Sequence, residues 1–309
     1  MAKTEKTTVS TKKKSGGTKH PELELAGAGM RIDIADGITK HCTNIMSFEV
    51  PEALDTVVPT GIDWLNAALG GGWTPSTVAL VTGGPGAGKT TMTIMLGDAM
   101  TGADCVVAYF GSEESVVQTR KVTKRLDCQH GFIVDDCDLV DRCPTWKNDT
   151  RRTLTDHITA IRDANGKLVP YTNKNGNACK KYVGKQIVII VDSLQSHDDG
   201  WYYNGYTNSK TQVRVAEKFA AIAKNEEFGY PIIILVGQVT KSGDFAGPQQ
   251  LKHAIDLHAE LKIDTGKESD TRGKRLFQVV KNRFGCAGMT VVLNMVKEGL
   301  VEEGRLMGL

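Results

Sequence analysis

No apolar run in this chain approaches the roughly 20 residues that a membrane-spanning helix needs, and the N-terminus has no apolar core of the kind a secretory signal peptide carries. These absences argue against a helical membrane protein and make a cytoplasmic protein the expectation. The seven cysteines, at 42, 105, 128, 137, 143, 179 and 286, form no Cys-x-x-Cys pair. That argues against a zinc ribbon or a disulfide framework and leaves free, buried thiols as the expected state. No internal repeat is visible. Net charge is nearly absent too: 38 Lys and Arg against 36 Asp and Glu give +2 at pH 7. Any binding of nucleic acid must therefore come from local patches and not from the global field.

What is present is an ordinary globular composition, 309 residues with 40% hydrophobic and 24% charged, enough for one large α/β domain with additions. Two basic patches stand out. Residues 1–21, MAKTEKTTVSTKKKSGGTKH and the proline after it, carry six lysines against one glutamate with almost nothing to bury. They are expected to form a disordered basic arm, serving either as a nucleic-acid contact or as a solubilising tail. A lead-in segment, 22–57, follows. The second patch, GKLVPYTNKNGNACKKYVGKQ at 166–186, has five lysines and no acid and reads as a hairpin-like surface insertion, about 164–186, within the core.

The most informative stretch is GGPGAGKT, Gly83 to Thr90, which fits G-x-x-x-x-G-K-[ST]. Glycines there let successive backbone N–H groups turn inward around a phosphate with no Cβ in the way. The phosphate-binding loop is thus Gly83, Gly84, Pro85, Gly86, Ala87, Gly88 and Lys89, with Thr90 and Thr91 opening the helix that follows. Lys89 is expected on the β- and γ-phosphates, and Thr90 on Mg²⁺. STVALVT before the loop reads as a buried strand. After it Met92, Met95, Leu96, Ala99 and Met100 fall at helical spacing, best explained as core packing.

Strand candidates follow at 105–110, 187–192, 232–237, 259–263, 276–281 and 290–295. Several are continuous apolar runs, as in strands covered on both faces. Helical patterns separate the early ones, Leu154, Ile158 and Ile161 in one, Val213, Ala216, Phe219, Ala220 and Ala223 in another. This order predicts an α/β fold: a mostly parallel central sheet with helices on both faces, extended by antiparallel strands at its C-terminal end. Parallel sheets bind ligands beyond the carboxyl ends of their strands. There the sequence places Glu113 and Glu114, either of which could polarise an attacking water, and Asp192, which ends IVIIVD as a Mg²⁺-holding aspartate would. An acid closing a strand is also a common helix cap; the phosphate loop favours the catalytic reading.

Four segments in order now resemble the RecA superfamily, and specifically its RadA/Sms branch: TGIDWLNAALGGGWTPSTVALVTGGPGAGKTT, YFGSEES, VDSLQS and VGQVTKSGDFAGPQQLKHAID. The most specific piece is VKNRFG at 280–285, since KNRFG is that branch's own motif. The resemblance runs from about 58 to 303, with 304–309 as a tail. It implies a RecA-like P-loop core that hydrolyses ATP with Mg²⁺, Glu113 as catalytic base, and Gln238 as the sensor coupling the γ-phosphate to a DNA-contacting loop. It also implies Lys281 and Arg283 acting in trans on a neighbouring subunit's site, hence a homo-oligomer, ring or filament. The branch's four-cysteine zinc module and Lon-like domain have no counterpart in the sequence, and Gln238 stands where the branch usually has His. A stand-alone motor core is the resulting expectation, of the kind that would suit a phage or plasmid replicon and act at the bacterial nucleoid.

Single-stranded DNA is the expected partner. Trp201, Tyr202, Tyr203 and Tyr206, among Gly, Asn and Asp, can stack on bases where the superfamily keeps its first DNA loop, or can form a subunit interface. Arg214 and Lys218 could pair with phosphates, and Lys241 offers a cation on the second loop. The reading that follows is a DNA-dependent ATPase of homologous recombination and repair, promoting strand exchange or branch migration. A hexameric DnaB-type replicative helicase and a KaiC-like or annealing protein in which ATP only switches assembly stay open beside it.

Overall fold

The structure is a computed structural model; it describes residues 45–135, 137, 139–140, 153–154, 171–172, 178–179, 185–201, 207–238 and 250–306. The chain divides into two units, residues 1–49 and 50–309. In the first, a single 3-10 turn at Ile45–Ser47 is described. The arm at 1–21 and most of the lead-in lie outside the described residues, as do Ile158 and Ile161, most of the 164–186 segment, Tyr202, Tyr203, Tyr206 and Lys241.

Among the described residues, the second unit is built on nine strands of one sheet. They are β1 (Val78–Gly83), β2 (Val106–Gly111), β3 (Ile133–Asp135), β6 (Ile187–Asp192), β7 (Ile232–Gln238), β8 (Leu257–Ile263), β9 (Arg275–Asn282), β10 (Thr290–Val296) and β11 (Gly299–Leu306). Between β3 and β6 in the chain, β4 (Tyr171–Thr172) and β5 (Ala178–Cys179) form a separate two-stranded antiparallel ladder inside the basic segment. The sheet order is β11-β10-β9-β8-β1-β7-β6-β2-β3. Strands β8, β1, β7, β6, β2 and β3 are parallel, and β9, β10 and β11 are antiparallel additions, as the sequence order predicts.

Alternation along the strands separates two hydrophobic layers. Ala79, Val81, Val107, Tyr109, Val188, Ile190, Ile232 and Ile234 face one layer, which also holds helices α1 (Asp63–Leu69) and α2 (Lys89–Gly102). Val78, Leu80, Val106, Ala108, Ile187, Ile189, Val191, Ile233 and Leu235 face the other, against α4 (Ser209–Ala223). Both faces of the central strands are therefore removed from water, which is why they read as unbroken apolar runs. Trp64 of α1 meets Phe277 of β9 edge-on with ring centroids 5.3 Å apart, tying the antiparallel wing to this layer. Helix α2 is wrapped more fully than a single stripe implies: Thr93, Ile94 and Gly97 are buried beside Met92, Leu96 and Met100.

Two helix starts are fixed locally. Ser115 opens α3 (Val116–Arg125) in a capping box, its hydroxyl accepting from the Gln118 amide while the Gln118 side chain accepts from the Ser115 amide at 2.8 Å. Asn208 opens α4 the same way with Thr211. The short turn α5 (Leu251–Ala254) precedes β8. Two expectations need correction. Strand β11 continues through Leu306, past the expected core end at 303, because its pairing with β10 runs from Gly299 to Leu306. And Cys286 is exposed, on the connection from β9 to β10, where Cys105 and Cys137 are buried. Among the described residues no helix is long and apolar enough to cross a membrane.

Candidate active site

Strand register assembles the site. In β1, Gly83 lies beside Gln238 of β7; in β2, Gly111 lies beside Asp192 of β6. Four parallel strands thus end at one edge, and the residues just beyond those ends line a cavity of about 400 Å³: Gly86, Lys89, Thr90, Thr91, Glu113, Asp192, Ser193 and Gln238 among them. Pro85 and Gly88 also line it; Gly83, Gly84 and Ala87 complete the loop's path beneath. At Gly86 and Gly88 the backbone is left-handed, with φ of 74° and 106°. Space beside Gly86 is open, but a Cβ on Gly88 would sit 2.5 Å from Met295 Cε. Both glycines are therefore required by conformation, and at Gly88 the flexible Met295 methyl would also have to shift.

Lys89 Nζ donates to the carbonyls of Gly83 at 2.7 Å and Gly84 at 3.2 Å. Burial lowers its pKa, against the opposing pull of Asp192 and Glu113. Thr90 Oγ1 and the Tyr109 hydroxyl both donate to Asp192 Oδ2, each at 2.8 Å. Glu113 Oε1 accepts from Ser193 Oγ and from Gln238 Nε2, the latter at 3.1 Å. The Thr90 hydroxyl beside a buried carboxylate, at the start of the helix that follows the glycine-rich loop, suits a divalent cation and a polyphosphate. Thr90 and Asp192 are the donors that would hold Mg²⁺.

Glu113 and Glu114 are separated by the structure. Glu113 lines the cavity and Glu114 does not; Glu114 Oε2 is buried with no hydrogen-bond partner. Burial raises the Glu114 pKa, and the charges of Asp192 and Glu113 add to the rise. Of the two candidates, Glu113 is the one at the cavity wall.

Lys281 and Arg283 stand elsewhere. Strand β9 runs antiparallel to β8, with Arg275 beside Ile263 and Asn282 beside Leu257. Its end therefore lies at the edge opposite the phosphate loop. Lys281 Nζ donates to the carbonyls of Lys252 and Ile255, both at 2.7 Å. Arg283 Nη1 pairs with the buried Asp256 at 2.7 Å. Neither reaches the cavity of its own chain.

The expected DNA contacts are divided as well. Trp201 is exposed, and the Arg214 guanidinium carbon lies 5.4 Å from the centre of its ring. Arg214 itself pairs with Asp199, whose side chain is buried, and Lys218 Nζ donates to the Asp199 carbonyl at 3.2 Å. Arg214 is thus engaged in an ion pair within its own chain.

Four residues at the site are not singled out by the sequence. Tyr109 reads there only as part of an apolar strand, though a hydroxyl on the strand beside Asp192 is a clue. Ser193 follows the strand-ending aspartate directly. Arg125 donates to Thr91 Oγ1 at 3.2 Å and to the Lys297 carbonyl at 2.9 Å. Arg275, which lines the cavity, sits at the start of a strand whose direction the sequence does not state.

The buried Asp192 carries a stability consequence. Burial raises its pKa above the ordinary carboxylate value, with the Thr90 and Tyr109 hydroxyls opposing. Protonation therefore favours the folded state, and that contribution is lost as pH rises through the raised pKa. Asp192→Asn is expected to melt higher than wild type at neutral pH without metal or nucleotide, by about 1 kcal/mol, while losing Mg²⁺-dependent turnover. Thermal melts at pH 5 and pH 8 check it: the gain must be larger at pH 8.

No protein-family model matches the chain. It is similar to proteins named DNA repair protein RadA, with 32% identity over 231 residues in Mycobacterium tuberculosis, 30% over 251 in Halalkalibacterium halodurans and 29% over 267 in Bacillus subtilis. These alignments cover 74%, 79% and 84% of this chain and 40%, 45% and 47% of the relatives. The chain thus spans less than half the length of the curated relatives it matches. Among solved structures, one described as an ATPase domain superposes with a TM-score of 0.57 at 16% identity, covering 88% of this chain and 96% of that one.

Proposed function

Because the chain carries a RadA-like core of the RecA superfamily, we propose that it is an ATPase of DNA recombination and repair, working as an oligomer on single-stranded DNA to drive strand exchange or branch migration. The observation that carries this reading is the convergence of Lys89, Thr90, Asp192, Glu113 and Gln238 on one cavity at the carboxyl edge of the sheet. Phosphoryl transfer is catalysed mainly by positioning and by compensating charge. Lys89 compensates the β- and γ-phosphates. Thr90 and Asp192 would hold Mg²⁺, which would supply further charge compensation for the phosphates.

Glu113 supports attack by water. Ser193 and Gln238 occupy its Oε1, which fixes the carboxylate's orientation and leaves Oε2 to accept the water's proton. Gln238 ends β7, immediately before the segment to which the resemblance assigns the second DNA-binding loop. DNA drawn onto that loop would move Gln238, and with it Glu113. This linkage is the basis for DNA-dependent hydrolysis.

The test is the rate of phosphate release with and without single-stranded DNA, with Lys89→Ala as the blank. The wild-type rate is expected to rise on DNA and the Lys89→Ala rate to stay at background in both states, because the amide cradle alone leaves the terminal charge uncompensated. Turnover by Lys89→Ala near the wild-type level sinks the phosphate-loop assignment. A wild-type rate indifferent to DNA sinks the coupling.

A further inference from the structure

We infer that Arg275 is a cation supplied by the nucleotide-holding subunit itself, contacting the α-phosphate on the nucleoside side of the phosphate loop. The inference rests on the ATPase reading above and adds a residue to its substrate site.

Sheet order gives the pocket a direction. Glu113, Asp192, Ser193 and Gln238 mark the γ-phosphate end, and they follow or end β2, β6 and β7, all on one side of β1. Arg275 and Met295 line the same cavity from β9 and β10, on the other side of β1. A nucleotide with its terminal phosphate among the first group and its β-phosphate in the loop must extend its α-phosphate and nucleoside toward the second. Met295 closes the floor there: its methyl already fills the space a side chain on Gly88 would need.

Arg275 is also chemically unfinished. Its Nη1 donates to the Gly273 carbonyl at 3.2 Å, while its Nε is buried with no hydrogen-bond partner. Nearby basic residues are matched: Lys274 pairs with Glu303 at 2.6 Å, and Lys262 with Glu260. Arg275 pairs with no carboxylate among the described residues. The guanidinium thus lines the cavity with no carboxylate beside it among the described residues and with a buried Nε that lacks an acceptor, an unfavourable state that turning onto an anionic ligand would relieve. An anionic phosphate oxygen is the acceptor that also meets the charge, and the planar fork suits it. Arg125 does not line the cavity and donates to Thr91 and the Lys297 carbonyl instead.

The experiment is calorimetric titration of the full chain and of Arg275→Ala, Arg275→Gln and Arg275→Lys with Mg–ADP and with a non-hydrolysable ATP analogue, beside steady-state hydrolysis and a thermal melt. The inference expects Arg275→Ala and Arg275→Gln to lose affinity for both nucleotides by the same factor, about ten- to a hundredfold. KM should rise while kcat holds at saturating ATP, and Arg275→Lys should recover part of the affinity. Should Arg275→Ala fail to fold, Arg275→Gln and Arg275→Lys carry the comparison. Unchanged ADP affinity in folded variants overturns the inference, and so does a loss confined to the ATP analogue, which would put the guanidinium at the γ-phosphate. A wild-type chain that binds neither nucleotide overturns the ATPase reading itself, and this inference with it.

Discussion

Glu113→Gln is expected to bind Mg–ATP as the wild type does and to hydrolyse it about a hundred- to ten-thousandfold more slowly, the range in which removing a general base falls. The amide keeps the size of the carboxylate, and its oxygen can still accept from Ser193 and Gln238, so the substrate site keeps its shape. What is lost is the second oxygen's ability to take a proton. Glu114→Gln is the paired comparison. That side chain does not line the cavity, and its Oε2 is buried without a partner. Burial raises its pKa, so neutralising it removes an unfavourable charge and should leave turnover intact. Equilibrium binding of a fluorescent ATP beside single-turnover hydrolysis separates binding from chemistry. Stalled hydrolysis in Glu114→Gln with normal hydrolysis in Glu113→Gln would reverse the assignment.

The part of this site that is legible in the sequence is the part that follows from strand ends. An apolar strand closed by Gly83, Asp192 or Gln238 gives its position in the sheet edge without any knowledge of neighbours, because parallel strands all present their carboxyl ends to one side. Glu113 against Glu114 is not decidable that way. Successive residues beyond a strand end point in different directions, and the choice is made by Ser193 and Gln238, which come from two other strands. Arg275 is invisible for a related reason. Whether the start of β9 or its end lies beside the phosphate loop depends on β9 being antiparallel to β8, and nothing in LFQVVK states direction. Strand β11 escapes the apolar pattern because GLVEEGRL is polar, with Val301, Gly304 and Leu306 partly or fully exposed. It is an edge strand buried only at its Gly299–Leu300 start and held beyond that by backbone pairing to β10.

The same reversal of direction shapes the expectation for Arg283. Strand β9 spans Arg275 to Asn282, and at about 3.3 Å per residue its two ends are roughly 20 Å apart or more. Arg275 is at the cavity, so Arg283 cannot serve the cavity of its own chain. If it acts on ATP at all, it acts on that of a neighbouring copy. The structure gives it a footing for this. Asp256 accepts from the Val78 amide at 3.1 Å through one oxygen and from Arg283 Nη1 at 2.7 Å through the other, while the Arg283 amide donates to the Asp256 carbonyl at 3.0 Å. One side of the guanidinium is thereby anchored to a buried acid, yet the side chain remains 48% exposed. Lys281 has less freedom, since its ammonium already holds two carbonyls.

Arg283→Ala should therefore bind ATP and lose DNA-stimulated hydrolysis by about 10³- to 10⁵-fold, the range of a trans-acting arginine. It leaves Asp256 unpaired, so Arg283→Lys, which keeps a cation beside that acid, is measured alongside to separate lost folding from lost catalysis; both should fail in hydrolysis if the fork is what matters. Mixing is the decisive step. Lys89→Ala supplies an intact Arg283, and Arg283→Ala supplies an intact phosphate loop. In a head-to-tail assembly formed at random from equal parts, about one interface in four joins the two intact halves. Activity should return to a comparable fraction of wild type. If the mixture stays as inactive as either parent while both proteins are found together on DNA, Arg283 does not act across the interface, and its pairing with Asp256 is then the whole of its role.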